Sequence, residues 1–118
     1  MPDHTAPPDR RTRLARAGED LACELLRRQG LTIVERNWRC REGEIDILAR
    51  GDGLLVVCEV KTRRGSGYGG AAAAVTAAKQ LRLRRLAGAY LRTTPGAPLS
   101  VRFDVVAITW PHRATFSC

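Results

Sequence analysis

The residues whose types and spacing could carry chemistry are Asp46, Glu59 and Lys61. Asp46 lies in a segment of alternating polar and apolar residues, 44–49, and Glu59 and Lys61 end an apolar run that begins at Leu54. Because side chains alternate across a β-strand, Glu59 and Lys61 are expected to project from the same face. Two carboxylates and an ammonium group gathered in one place are the parts of a metal-assisted hydrolytic site.

A tight turn is predicted between the two segments, at the Gly-Asp-Gly tripeptide 51–53, so they should pair as an antiparallel hairpin. If the pairing is symmetric, two registers are open. One places Asp46 opposite Glu59, and the other places Asp46 opposite Val57 with Glu59 diagonal to it. In both registers the two carboxylates are cross-strand neighbours, and we expect them to lie together on one face.

The donor types favour a hard metal ion. Two adjacent carboxylates repel each other unless a proton or a cation neutralises them. An oxygen-only donor set, with no histidine or cysteine beside it, suits Mg²⁺ or Mn²⁺. The backbone carbonyl of Val60, between Glu59 and Lys61, is the expected third ligand. Lys61 would then orient or help deprotonate a water and stabilise the charge that builds on a phosphate, which predicts phosphodiester hydrolysis.

The competing interpretation is that these charges are simply the solvated face of a hairpin. Three observations favour a site. Glu59 and Lys61 end an apolar strand, where charge is costly unless it is paired or metal-bound. Lys61 is one of only two lysines in a chain rich in arginine, as if a guanidinium would not serve there. A glycine-rich segment, 65–70, follows at once and leaves open space above the site.

Hydrophobic periodicity predicts the elements that must position these residues. Apolar residues recur at helical spacing from Leu14 to Leu26, and Gly30 predicts the end of that helix. Three strands are predicted, at 31–38, 44–49 and 54–61, the last apolar enough to be covered on both faces. A long helix over 71–92 and a strand over 101–109 complete the order helix-strand-strand-strand-helix-strand.

A chain of 118 residues has room for one domain. The domain is predicted at 13–110, between an N-terminal tail at 1–12, which holds three prolines, and a C-terminal tail at 111–118. No stretch is long and apolar enough to act as a secretory signal or to cross a bilayer, so we expect a cytoplasmic protein with no membrane partner. The four cysteines lack the short spacing of a zinc site.

The charge balance points to a polyanionic partner. The chain carries 20 Lys and Arg against 12 Asp and Glu, a formal net charge of +8, and such a balance in a small domain favours nucleic acid. DNA is favoured over RNA because two Trp, two Tyr and two Phe are too few for a platform that stacks single-stranded bases. The residues expected to contact phosphates are Arg63, Lys79, Arg82, Arg84 and Arg85.

Several segments resemble the YraN-like family of small bacterial proteins. The most specific are GEID at 43–46 and VCEVKTR at 57–63. Further matches lie across the chain, at Gly18-Glu19, Asn37-Trp38-Arg39, Tyr68-Gly69, Lys79 and 102–106. That family has the restriction-endonuclease-like fold and is similar to archaeal Holliday-junction resolvases, and the resemblance covers about 13–109.

The resemblance implies an α/β domain of the restriction-endonuclease-like fold, with a central mixed sheet flanked by helices. Position by position, it implies Asp46 and Glu59 as metal ligands and Lys61 as the catalytic lysine. Glu19 matches the acidic residue that resolvase-like nucleases supply from their first helix. Candidates for the periphery of the site are Glu44 and Gln80. A homodimer is also implied, since a four-way junction has two symmetric cuts to make.

Residues and resemblance together predict a metal-dependent endonuclease, a hydrolase acting on DNA, with branched or damaged DNA of repair and recombination as candidate substrates. The alternative is a nucleic-acid-binding protein of the same fold without independent catalytic activity. In that case the basic second helix would bind phosphates, and binding would weaken steeply with salt. A third possibility is a structural partner of another protein.

Overall fold

Two helices and five strands make up the described part of the chain, which in this computed structural model comprises residues 10–64, 76–96, 100–110 and 113–117. The elements in chain order are α1 Arg10–Arg28, β1 Thr32–Cys40, β2 Gly43–Gly51, β3 Leu54–Arg64, α2 Ala77–Thr93, β4 Ser100–Trp110 and β5 Arg113–Ser117. This is the predicted order helix-strand-strand-strand-helix-strand with one strand added at the end.

The strands form one mixed sheet in the order β1-β2-β3-β4-β5. Neighbouring strands are antiparallel except β3 and β4, which run parallel. Parallel neighbours need a crossover connection, and α2 lies within the segment that makes it. The predicted α/β class with a central mixed sheet flanked by helices is confirmed.

Each helix covers one face of the sheet. The α1-side core includes Leu26, Ile47 and Val56, and the α2-side core includes Val57 and Leu86. The adjacent residues Val56 and Val57 are both fully buried, in opposite cores, so β3 is covered on both faces as its apolar run predicts. Neither described helix is long and apolar enough to cross a membrane.

The ends of the elements differ from the sequence-based expectation in three places. α1 begins at Arg10, inside the expected N-terminal tail, and residues 113–117 of the expected C-terminal tail pair with β4 as β5. α2 begins at Ala77, because the Thr76 side chain caps it by accepting a hydrogen bond from the Lys79 N–H at 3.1 Å. The expectations for 1–9, for the glycine-rich segment 65–70 and for a helix over 71–75 lie outside the described residues.

Candidate functional site

The β2–β3 hairpin adopts the first of the two predicted registers. Ile47 lies opposite Cys58 and Leu48 opposite Val57, and the ladder ends at the Ile47–Cys58 pair. Asp46 and Glu59 are therefore the first residues beyond the ladder. The two predicted carboxylates lie where β2 and β3 begin to separate, which is where a site between strands can open.

The faces of β2 reverse at Asp46. Ile47 packs in the α1-side core, whereas Ile45, two residues earlier, packs in the α2-side core. Residues two apart on a regular strand share a face, so the strand turns over between them. The neighbouring strand β1 is irregular at the same level, because Asn37 has a left-handed backbone with φ of 55°.

This reversal corrects the expectation that the two carboxylates share a face. Asp46 lines a pocket of about 320 Å³ together with Glu19 of α1. Glu59 instead contacts Lys79 and Arg82 of α2. Simple alternation along β2 cannot reveal the difference, because it assumes a regular strand. The residues lining the acidic pocket, as we call it, are Leu14, Ala15, Glu19, Asp46, Val60 and Thr62.

In the acidic pocket, burial and neighbouring negative charges disfavour the ionised form of Asp46. Its Oδ2 accepts a hydrogen bond from the Val60 N–H at 2.8 Å. Burial nevertheless raises the pKa of Asp46 to about 6, and the negative charges of Glu19, Glu59 and Glu44 act in the same direction. The Val60 residue predicted to give its carbonyl to a metal thus gives its N–H to Asp46.

Glu19 reaches the acidic pocket because α1 packs unusually close to β3. A Cβ added at Gly18 would clash with the Thr62 hydroxyl, so only glycine allows this approach. Glu19 Oε1 accepts hydrogen bonds from Asn37 Nδ2 at 3.2 Å and from Arg36 Nη2 at 3.5 Å. The structure therefore places Glu19, which the resemblance implies as a site residue, beside Asp46.

Three cations surround the other carboxylate. Glu59 is 8% exposed, and its Oε2 lies 3.4 Å from Lys61 Nζ and 3.2 Å from Lys79 Nζ. Its Oε1 lies 3.4 Å from Arg82 Nη2. The neighbouring Lys79, followed by burial, lowers the pKa of Lys61, and Glu59 acts in the opposite direction. We call Glu59, Lys61, Lys79 and Arg82 the basic cluster, in which three positive charges face one negative charge.

The donors of the acidic pocket fit a hard divalent cation in type, since Asp46 is a crowded carboxylate that a cation would relieve. Within the described residues, no three His, Cys, Asp or Glu side chains are arranged to hold a metal ion. Glu59 is already neutralised by its cations. Joining Asp46 at a metal therefore requires Glu59 to give up some of these contacts.

The other predicted residues are spread more widely. Arg63, Arg84 and Arg85 are exposed. Gln80 does not line the acidic pocket but lines a second pocket of about 310 Å³ with Arg84 and residues 101–103 of β4. Glu44 lies near enough to act on Asp46 and pairs with Arg39 at 3.5 Å.

Asn37, Arg36 and Thr62 are parts of the site to which sequence reasoning assigned no role. Asn37 and Thr62 lie within segments that carry the family resemblance, but nothing in their spacing shows what they touch. The available signal for Asn37 is its residue type, because asparagine is among the few residues that tolerate a left-handed backbone.

Comparison with known proteins gives a single family. The profile of uncharacterised protein family UPF0102 matches residues 18–108, a span that includes the acidic pocket's two carboxylates and the basic cluster. A UPF0102 protein of Kineococcus radiotolerans is 55% identical over 97 residues, covering 81% of this chain and 80% of that protein. Similar proteins occur in Frankia alni, at 52% identity over 83% of this chain and 82% of the relative, and in Streptomyces coelicolor, at 53% over 85% and 78%.

Proposed function

The chain belongs to uncharacterised protein family UPF0102, and we propose that it is a metal-dependent nuclease that hydrolyses phosphodiester bonds in DNA. One observation carries this proposal. A half-buried acidic pocket around Asp46 and a basic cluster around Glu59 adjoin at the end of the β2–β3 ladder. An acidic site alone repels a phosphate backbone, and a basic site alone binds phosphate without cleaving it.

The acidic pocket supplies the metal-binding half of the proposal. Asp46 and the Val60 carbonyl would hold Mg²⁺ or Mn²⁺, joined by Glu59 of the basic cluster when it gives up some of its cationic contacts. The ion would polarise the phosphate and lower the pKa of a water. Asp46 is held in place by the Val60 N–H at 2.8 Å. Glu19, fixed by two donors from β1, adds negative charge on the same side.

The basic cluster supplies the phosphate-binding half. Lys61, Lys79 and Arg82 converge within 3.4 Å of one carboxylate, so a second anion would meet ammonium and guanidinium groups that are already gathered. Lys79 and burial lower the pKa of Lys61, which makes it a better acceptor for the proton of an attacking water. Its positive form stabilises charge that develops on the phosphate.

The rest of the basic surface would bind the DNA backbone. Arg63, Arg84 and Arg85 are exposed, and the chain as a whole carries +8. Branched or damaged DNA is the proposed substrate, cut by a homodimer whose two sites face two strands. A cytoplasmic location is part of this proposal, because chromosomal DNA is accessible there.

The test is cleavage of linear, nicked, single-stranded and four-way DNA in the presence of Mg²⁺ or Mn²⁺. We expect at least one substrate to be cut, and Asp46→Asn and Lys61→Ala to abolish the cut. Asp52→Asn, the same change at an exposed turn, is the matched control and should cleave normally. Absence of cleavage on every substrate, or cleavage unaffected by both site variants, would remove the proposal.

A binding protein without catalysis is the second candidate. It is favoured by one observation, that Glu59 has three cationic partners. In that case DNA affinity should fall steeply with salt and should not depend on a divalent ion. Metal-independent binding together with no turnover on the same substrate would favour this candidate, whereas a flat salt response would argue against it.

A further inference from the structure

Asn37 combines two features that are each uncommon. It is the only non-glycine residue with positive φ in the part of the chain that the structure describes, and its side-chain amide donates to Glu19 Oε1 at 3.2 Å. A left-handed backbone disfavours most side chains but is tolerated by asparagine. The residue thus meets a backbone requirement and a side-chain requirement at one position.

The two features depend on each other. Arg36 and Asn37 are adjacent on β1, and adjacent side chains of a regular strand point to opposite faces. Here both side chains reach the same oxygen of Glu19, at 3.5 and 3.2 Å. Arg36 also holds Asp20 of α1 at 2.8 Å. The left-handed backbone of Asn37 thus allows the adjacent residues Arg36 and Asn37 to donate to the same carboxylate, that of Glu19.

The same irregularity sets the direction of Asp46. The core partners of β2 change sides between Ile45 and Ile47, at the level of Asn37, and Asp46 consequently lines the pocket that contains Glu19. Two carboxylates on one pocket repel each other. Without its donors, Glu19 would be free to turn away from Asp46 toward solvent.

We propose that Asn37 is a positioning residue that turns β1 and β2 over at Asp46 and fixes the Glu19 carboxylate beside it. Its role in metal binding rests on the proposed function, but the contact with Glu19 does not. The residue touches neither substrate nor metal in this scheme and acts through Glu19.

The backbone and side-chain roles are separated by the choice of substitution. Asn37→Gly keeps the left-handed backbone and removes the amide, so it should fold with an unfolding temperature close to that of the unaltered protein. Asn37→Val places a β-branched residue at positive φ and should unfold at a clearly lower temperature. The glycine variant is therefore the one whose site properties are informative.

The first measurement is the NMR signal of the Asn37 side-chain amide, compared between the unaltered protein and Glu19→Ala without metal. We expect this signal to shift when its acceptor is removed, while an exposed amide such as that of Gln80 stays in place. An unchanged Asn37 signal would overturn the proposal. This measurement needs no activity, so it decides the contact even if the chain proves to bind no metal and to cleave no DNA.

The second measurement is Mn²⁺ affinity from water-proton relaxation. Asn37→Gly should weaken Mn²⁺ binding by about 10-fold, the lower end of the loss seen when outer partners of metal ligands are removed. It should have no further effect once Glu19 is alanine. Unchanged affinity in Asn37→Gly, or an equal loss in the Glu19→Ala background, would show that Asn37 only shapes the strand. A lack of Mn²⁺ binding by the unaltered protein would instead count against the nuclease.

Discussion

The two sides of the β2–β3 hairpin offer opposite electrostatic environments only one residue beyond the same ladder. On the α1 side, Asp46 is half-buried among like charges, and its pKa rises to about 6. On the α2 side, Glu59 is more deeply buried than Asp46 but has three cations within 3.4 Å. The helix that each carboxylate faces therefore decides whether its neighbours repel it or pair with it.

The difference follows from how each helix meets the sheet. α1 presents Glu19 to the hairpin through the close contact at Gly18, whereas α2 presents Lys79 and Arg82 from its first turns. A site that both holds a cation and accepts a phosphate needs both signs of charge. The hairpin obtains them by turning one carboxylate toward each helix.

The largest expected effect comes from removing the charge of Asp46. Asp46→Asn keeps an acceptor for the Val60 N–H but loses the negative charge, so DNA cleavage with Mg²⁺ should fall by about 100-fold or more. Gel assays of initial rate measure this loss, with Asp52→Asn as control. A rate within a few-fold of the original would mean that the acidic pocket is not the metal-binding side.

The next effect is a pH dependence of stability. The folded pKa of Asp46, about 6, lies above its unfolded value of about 3.9, so the folded state holds the proton more tightly. The free energy of unfolding should therefore fall by about 2 to 3 kcal/mol as pH rises from about 4 to 6, and then level off. Urea unfolding across this range checks it, on the unaltered protein and on Asp46→Asn.

The asparagine variant should lack that decline and be the more stable protein at neutral pH. The same measurement with Mn²⁺ should restore stability to the unaltered protein above pH 6, where the carboxylate is ionised. Parallel pH curves for the two proteins would contradict a raised pKa at Asp46.

A smaller effect is expected from adding a side-chain methyl group at Gly18, where α1 packs closely against β3. Gly18→Ala pushes a Cβ into the Thr62 hydroxyl and should destabilise the fold by about 1 to 3 kcal/mol, with partial recovery in the Gly18→Ala, Thr62→Ala pair. Gly88→Ala is the control, because its new Cβ meets only ordinary contact with the Arg92 side chain and alanine favours a helix. Thermal unfolding measures both, and equal stability of the two single variants would deny the close approach.

The smallest effect tests whether Glu59 competes with phosphate for the three cations of the basic cluster. Glu59→Gln leaves Lys61, Lys79 and Arg82 without their carboxylate partner, so metal-free DNA affinity should rise by about 3- to 10-fold, equivalent to about 1 kcal/mol. Glu24→Gln, which changes the net charge equally at an exposed position on α1, should raise it less. Fluorescence anisotropy at fixed salt makes the comparison, and weaker binding by Glu59→Gln would show that Glu59 does not compete with phosphate.

The order of the first six elements and the pairing of β2 with β3 were predictable because they depend on local signals. The Gly-Asp-Gly turn predicts the hairpin but leaves two registers open, of which the structure has the one that pairs Ile47 with Cys58. The apolar run of β3 predicts cover on both faces. β5 was missed because the short segment 113–117 lacks a strong apolar alternation.

Which face of the sheet each carboxylate projects from was not predictable in the same way. In our proposal it depends on Asn37, a residue with a left-handed backbone on the neighbouring strand β1. Predictions from side-chain alternation assume that every strand is regular. The partners of Glu59 depend on where α2 crosses the sheet, which places Lys79 and Arg82 on Glu59 but puts Gln80 in another pocket. The types of the site residues could therefore be predicted from the sequence, whereas their contact partners depend on how the helices pack on the sheet.

A crystal soaked in Mn²⁺ and measured at an anomalous wavelength tests the metal-dependent site most directly. An anomalous peak bonded to Asp46, with Glu59 drawn away from at least one of its three cations, is the predicted result. Crystals that take up no ion at the hairpin, with Glu59 still held by Lys61, Lys79 and Arg82, would contradict it.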